Sequence, residues 1–135
     1  NQSDQSLFRI LHYPTLSEDV EDEAIRAAAH EDINLITLLL AGSKPGLEAQ
    51  DANGEWHSVP CDPGMIIINN GDMLSLATNG FYPSTTHRVV NPERDKNDAR
   101  YSMPLFLHPR PDVALVDGFT ADMFLQQRLR EIGLK

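Results

Sequence analysis

Two histidines and a carboxylate in this chain have the types and spacing to share a metal ion. His30 and Asp32 stand two residues apart at the mouth of an apolar run, Ile33–Ala41. Side chains two apart on a strand share a face, so an imidazole and a carboxylate there converge. His87 follows 55 residues after Asp32, opening another strand-like run within Thr85–Val90. Two His and one carboxylate are the ligand set that grips non-haem Fe(II) on one face and leaves three coordination positions open. An H-x-D pair discriminates loosely, and the plainer reading is a hydrogen-bonded His–Asp pair with His87 in a loop. The other histidines carry no ligand context. His57 sits beside Trp56 in a hairpin strand and is expected to be exposed, while His12 and His108 flank the first and last strands, where they can be neighbours.

A second group points to an anion. Arg100, Ser102, Pro104 and Phe106 alternate along one face of the run Arg100–Leu107, with Tyr101, Met103, Leu105 and Leu107 on the other. Both faces are apolar beyond Ser102, so the strand is expected to be covered on both sides. An arginine near a covered face needs an anion, because an unpaired buried charge is costly. Its planar fork suits a carboxylate, and the Ser102 hydroxyl can add a donor to the same oxygens. The partner is either a protein carboxylate, with the acidic segment 18–23 as a source, or the carboxylate of a bound small molecule.

Positioning these groups falls to a mainly β chain. Eight strand-like pieces are read: Leu7–Tyr13, Ile33–Ala41, Gly46–Gln50, Glu55–Val59, Met65–Asn69, Met73–Ala77, Thr86–Asn91 and Arg100–Leu107. Asp51–Gly54 is a hairpin turn signal, and Asn79-Gly80 and Gly71-Asp72 set further turns. Eight short strands are the count of a jelly roll, two sheets facing each other. Ile66, Ile67, Ile68, Leu38, Leu39 and Leu40 are expected in its core. Thr15–Ala29 reads as a polar, acidic connection with helical character. Thr120 as N-cap, with Phe124, Leu125, Leu129 and Ile132 at helical spacing, predicts a C-terminal helix over 121–132.

Composition bounds the function. The chain has 135 residues, enough for one domain and too few for two. Its net charge of −9 disfavours nucleic acid and anionic membrane, which select basic surfaces. Residues 1–32 hold eight acids and two bases, and the run Glu18–Glu23 reads as a solvated loop. No apolar run approaches membrane-spanning length. The single cysteine, Cys61, has no internal partner, which fits a reducing compartment, so a cytoplasmic location is expected. The chain enters a strand within a few residues of Asn1, and the expectation is a C-terminal part of a longer protein.

Taken together these residues resemble the Fe(II)/2-oxoglutarate-dependent oxygenases of the isopenicillin N synthase-like superfamily, from about Phe8 to Pro109. The likeness rests on ordered blocks: Leu11–Pro14 (LHYP), His30–Asp32 with Leu35–Leu39, Gly46–Gln50 with Gly54–Trp56 and Val59-Pro60, Asn69–Asp72 (NNGD), Thr78–Gly80 (TNG), Ser84–Val89 (STTHRV) and Arg100–Ser102 (RYS). It implies a double-stranded β-helix (jelly roll) spanning about residues 7–109, with the C-terminal helix beyond it, as a single catalytic domain over 1–135. It implies that His30, Asp32 and His87 hold Fe(II), and that Arg100 and Ser102 grip the distal carboxylate of 2-oxoglutarate. Tyr13 matches a tyrosine that reaches this cosubstrate, although many plant members carry Asn two residues earlier, where this chain has Leu11.

The implied activity consumes O2 and 2-oxoglutarate and hydroxylates, desaturates or cyclises a small molecule. The resemblance also implies an N-terminal region of the same protein packed on the barrel. Two other readings share these residues: the same iron site used without 2-oxoglutarate, and a jelly-roll module that binds a metal or small acid without turnover.

Overall fold

The computed structural model describes residues 3–17, 25–40 and 42–134; the acidic run Glu18–Glu23 lies outside them. In chain order the strands are β1 (Leu7–Phe8), β2 (Leu11–Tyr13), β3 (Ala27–His30), β4 (Ile36–Leu40), β5 (Leu47–Gln50), β6 (Trp56–Ser58) and β7 (Ile66–Asn70). Helix α1 (Asp72–Ala77) comes next, then β8 (His87–Val89), β9 (Arg100–Leu107), β10 (Ala114–Val116), β11 (Phe119–Thr120) and α2 (Ala121–Glu131). One sheet runs β1-β9-β4-β7 with β2 also on β9, and the other runs β3-β8-β5-β6. All of these pairings are antiparallel. The two sheets face each other across a cavity lined from both, the jelly roll that the strand count predicts. Among the described residues no helix is long and apolar enough to cross a membrane.

The count of eight holds for a different set of strands. Leu7–Tyr13 is split into β1 and β2, yet one register runs through both: Phe8 faces Leu105 and Leu11 faces Ser102. The gap falls opposite Pro104, which has no N–H to give to the ladder, although Arg9 N still donates to the Pro104 carbonyl at 3.0 Å. Residues 27–29, read as the end of a helix-tinged connection, form with His30 a strand on β8. Alanine favours helix intrinsically, and pairing with a neighbouring strand overrides that preference. The run Met73–Ala77, read as a strand, belongs to α1. The helix starts after Gly71 with Asp72 in its first turn and stops where Asn79 and Gly80 take φ of 52° and 77°.

Thr120 caps α2 as expected, its side chain accepting from Met123 N. The β10–β11 hairpin before it went unread, although its turn is an Asp-Gly pair, Asp117-Gly118, with Gly118 at a φ of 72°. Met73, Leu115 and Ala121 bury fully or nearly so, with Leu35, Leu76, Phe124 and Leu125 against them. The tightest apolar packing therefore joins α1, β10 and α2, where burying Met73 or Leu115 contributes about 1.5–3 kcal/mol each. The space between the sheets is left for something else.

The expected core is half right. Leu39 is buried, but Leu40, Ile66 and Ile68 are 48%, 61% and 65% exposed. Strand alternation sends Leu39 and Ile67 inward and puts these three on the outer face of the larger sheet. β9 is covered more fully on one side than the other: Arg100, Ser102 and Pro104 are buried, while on the other face Met103, Leu105 and Leu107 are half-buried and Tyr101 is 47% exposed. His12 stacks on Tyr101 with ring centroids 4.7 Å apart. It faces the start of β9, whereas His108 follows the strand's far end, so the two are not neighbours.

Burial holds the His108 pKa below its ordinary 6.5. The unfolded chain then takes up a proton near 6.5 that the folded chain refuses. Stability from this group is complete above 6.5 and is lost as pH falls toward the folded value. We expect the melting temperature to drop more for the wild type than for His108→Gln between about pH 7.5 and about pH 5.5. Parallel drops would show that His108 does not carry the effect.

Candidate functional site

His30 and His87 face each other directly across the β3–β8 pair. Their rings lie 4.3 Å apart between centroids, tilted by 53°. Asp32 is not on the same strand as His30, as the spacing suggested. It lies in the bend that carries the chain from β3 of the smaller sheet to β4 of the larger, and that bend turns its carboxylate back to the imidazoles. Asp32 Oδ1 is 4.0 Å from His30 Nε2 and 3.8 Å from His87 Nε2. One ligand atom from each residue falls within 4.8 Å of the others. The carboxylate is 8% exposed and His87 15%, while the His30 side chain is 48% exposed.

The surrounding bonds decide which atoms are free. His30 Nδ1 is 2.7 Å from the Ala28 carbonyl and His87 Nδ1 is 2.9 Å from that of Thr85. A carbonyl oxygen can only accept, so Nδ1 carries the proton in each ring and Nε2 presents its lone pair to the centre. Asp32 Oδ2 accepts from Thr37 Oγ1 at 2.6 Å and from Asn69 Nδ2 at 3.0 Å, so Oδ1 is the oxygen left over. Two imidazole nitrogens and one carboxylate oxygen, each with its other heteroatom occupied, fit a non-haem Fe(II) ion.

The bend is itself clamped. Asp72 N donates to the Asp32 carbonyl at 2.8 Å and Met73 N to the Asn34 carbonyl at 3.3 Å. Gly71 passes so close that a Cβ there would meet the Asn34 carbonyl oxygen at 2.1 Å, which only glycine avoids. Arg128 of α2 reaches Asp72 at 3.3 Å, so the C-terminal helix braces α1 and, through it, the bend.

Arg100, Ser102 and Tyr13 line the same cavity as the histidines and Asp32, a space of about 180 Å³. Most of the remaining wall is apolar, from Leu11, Leu39, Ile67, Val89 and Phe106 among others, and Ala27 and Ala49 keep it open. Arg100 is 2% exposed and Ser102 5%. Arg100 Nε donates to the Lys44 carbonyl at 3.1 Å, and the guanidinium lies 5.5 Å from the Tyr13 ring centroid. Its Nη1 is buried without a hydrogen-bond partner, and among the described residues no carboxylate pairs with it. Burial pushes the Arg100 pKa down, the signature of a desolvated charge. An unmet guanidinium nitrogen beside a buried hydroxyl fits the end carboxylate of a small acid.

Other groups fall outside this cavity. His57 is exposed, as expected, and pairs with Asp51 at 3.0 Å in the hairpin. Trp56 packs under the Arg88 guanidinium at 4.1 Å, and Arg88 also pairs with Glu48 at 2.7 Å. Sequence reasoning missed Thr37, Asn34 and Asn69. Their signal was a polar residue at an inward position of an apolar strand or its approach, two residues from Leu39 or Ile67 in the cases of Thr37 and Asn69.

Residues 5–109 match the model of the 2OG-Fe(II) oxygenase superfamily. The chain is 43% identical over 104 residues to clavatol oxidase of Penicillium crustosum, covering 75% of this chain and 30% of that protein. A candidate oxygenase from Shewanella oneidensis superposes with a TM-score of 0.86 at 56% identity, covering 99% of this chain and 50% of the other. The dioxygenase for auxin oxidation 1 from Arabidopsis thaliana, solved as a binary complex with 2-oxoglutarate, gives a TM-score of 0.66 at 30% identity over 84% of this chain and 44% of that one. The chain thus spans about half the length of the solved structures it resembles and about a third of the curated relatives.

Proposed function

The chain belongs to the 2OG-Fe(II) oxygenase superfamily, and from that premise we propose that it forms the metal- and cosubstrate-binding barrel of a dioxygenase that oxidises a small organic molecule. His30 Nε2, Asp32 Oδ1 and His87 Nε2 would hold Fe(II). Bound there, Fe(II) with 2-oxoglutarate and O2 supplies the oxidising power for hydroxylation, desaturation or ring closure, with succinate and CO2 as by-products.

The chain's own residues do the positioning. The Arg100 guanidinium and the Ser102 hydroxyl would donate to the distal carboxylate of 2-oxoglutarate, and the Tyr13 ring packs beside that guanidinium. Apolar walls between the two polar ends exclude water, which strengthens both sets of polar contacts. The observation that carries this reading is the buried, unmet Nη1 of Arg100 in the same cavity as the His–Asp–His cluster.

The exposed apolar outer face of the larger sheet (Phe8, Leu40, Ile66, Ile68) supports further chain of the same protein packing there. The free Cys61 supports a cytoplasmic location.

The test is release of succinate and CO2 from 2-oxoglutarate with Fe(II) and O2, with and without candidate substrates. Slow release without substrate and faster release with one is expected. Oxidation of a substrate with no 2-oxoglutarate consumed would favour the same iron site run as an oxidase. Binding of both ligands with no turnover of any candidate would favour a binding module.

A further inference from the structure

The two oxygens of Asp32 have different surroundings, and the difference is built by Thr37 and Asn69, which are not ligands themselves; Asn69 Nδ2 also lies 3.5 Å from His87 Nδ1, the ring nitrogen turned away from Asp32. Oδ1 faces both imidazoles, while Oδ2 accepts two hydrogen bonds, from Thr37 Oγ1 at 2.6 Å and Asn69 Nδ2 at 3.0 Å. We propose that Thr37 and Asn69 are positioning residues that restrict Asp32 to single-oxygen ligation of the metal, and that Asn34 sets the direction of the Thr37 hydroxyl. The proposal rests on the metal-centre reading above.

A hydroxyl has one proton to give. Asn34 Nδ2 donates to Thr37 Oγ1 at 3.1 Å and to the Ile36 carbonyl at 2.7 Å, which fixes the amide. With its oxygen receiving from Asn34, Thr37 directs its own proton to Asp32. Asn34, Thr37 and Asp32 are 2%, 4% and 8% exposed, so the relay is shielded from water that would otherwise compete.

Packing alone does not call for these groups. Thr37 faces the cavity on β4 beside Leu39, where valine has the same shape and no polar atom to satisfy. A facial site that must keep three positions open gains from a carboxylate that offers one oxygen and cannot swing to offer two.

The experiment compares Thr37→Val, Thr37→Ser and Asn69→Ala with the wild type. It measures Mn(II) affinity by calorimetry in the presence of 2-oxoglutarate, and the melting temperature of the metal-free protein. Thr37→Val and Asn69→Ala are each expected to bind Mn(II) about 10- to 100-fold more weakly, while Thr37→Ser, which restores the hydroxyl, stays near the wild type. Should Thr37→Val fail to fold, Asn69→Ala decides, since it removes the other donor. Unchanged affinity in the variants of a wild type that binds Mn(II) overturns this proposal alone, as does a Thr37→Ser as weak as Thr37→Val. A wild type that takes up no divalent ion overturns the metal centre and this proposal with it.

Discussion

Replacing Arg100 by leucine is expected to raise the 2-oxoglutarate concentration needed for turnover by at least about 30-fold while leaving the fold as stable or more so. The two effects have one cause. The guanidinium is 2% exposed, has one hydrogen bond to a carbonyl, and keeps Nη1 without a partner. Without ligand the protein bears a desolvated charge that a leucine would not impose. With ligand, the same charge meets the carboxylate, and removing one partner of a buried charged pair costs about 2–5 kcal/mol of binding. Gly42 lies so close that a Cβ there would come within 2.8 Å of Nη2, so the backbone is shaped to the guanidinium.

Melting curves separate the two effects. The wild type should gain stability as 2-oxoglutarate is added with Mn(II), by simple linkage, and Arg100→Leu should gain little at the concentrations that stabilise the wild type. A variant whose melting temperature still rises with 2-oxoglutarate at the wild-type concentration would sink the assignment of Arg100.

His87→Ala should remove the metal. The wild type is expected to bind about one divalent ion per chain, and the variant none at the same concentration, with turnover at the level of the blank. His87 is the more enclosed of the two imidazoles, 15% exposed against 48% for His30. Its Nδ1–H bond to the Thr85 carbonyl holds Nε2 toward Asp32. Without it, Asp32 and a half-exposed His30 remain, which is too few ligands for a facial site. The metal-free melting temperature should change little, because the ring borders the cavity and not the α1–β10–α2 core. His57→Ala, in the exposed hairpin, serves as the control and should bind metal normally. Retained metal in His87→Ala would overturn the ligand set.

The site was more legible in sequence than the elements that carry it. His30, Asp32 and His87 stood out by type, and Arg100 and Ser102 by a charge and a hydroxyl on one face of an otherwise apolar strand. The geometry behind the first pair was read wrongly: the two do not share a strand, and a bend between sheets brings them together. Ala27–His30 hid its strand because alanine's own preference is helical, and only β8 beside it settles the matter. Residues 73–77 hid their helix because α1, six residues over Asp72–Ala77, is too short for either periodicity to show.

By itself the sequence determined the chemistry on offer and the fold class: residue types cannot change on folding, and eight short runs with turns between them have few ways to bury one face each. Only the tertiary structure decided which atoms are free to act. The Ala28 and Thr85 carbonyls occupy Nδ1 of each imidazole and leave Nε2 free, Thr37 and the distant Asn69 occupy Oδ2 of Asp32 and leave Oδ1, and the distant Lys44 carbonyl takes Nε of Arg100 while Nη1 stays buried and unmet. Sheet pairing sends Leu39 inward and leaves Ile66 and Ile68 outside. Such choices depend on what lies opposite each side chain in space, which no local pattern records.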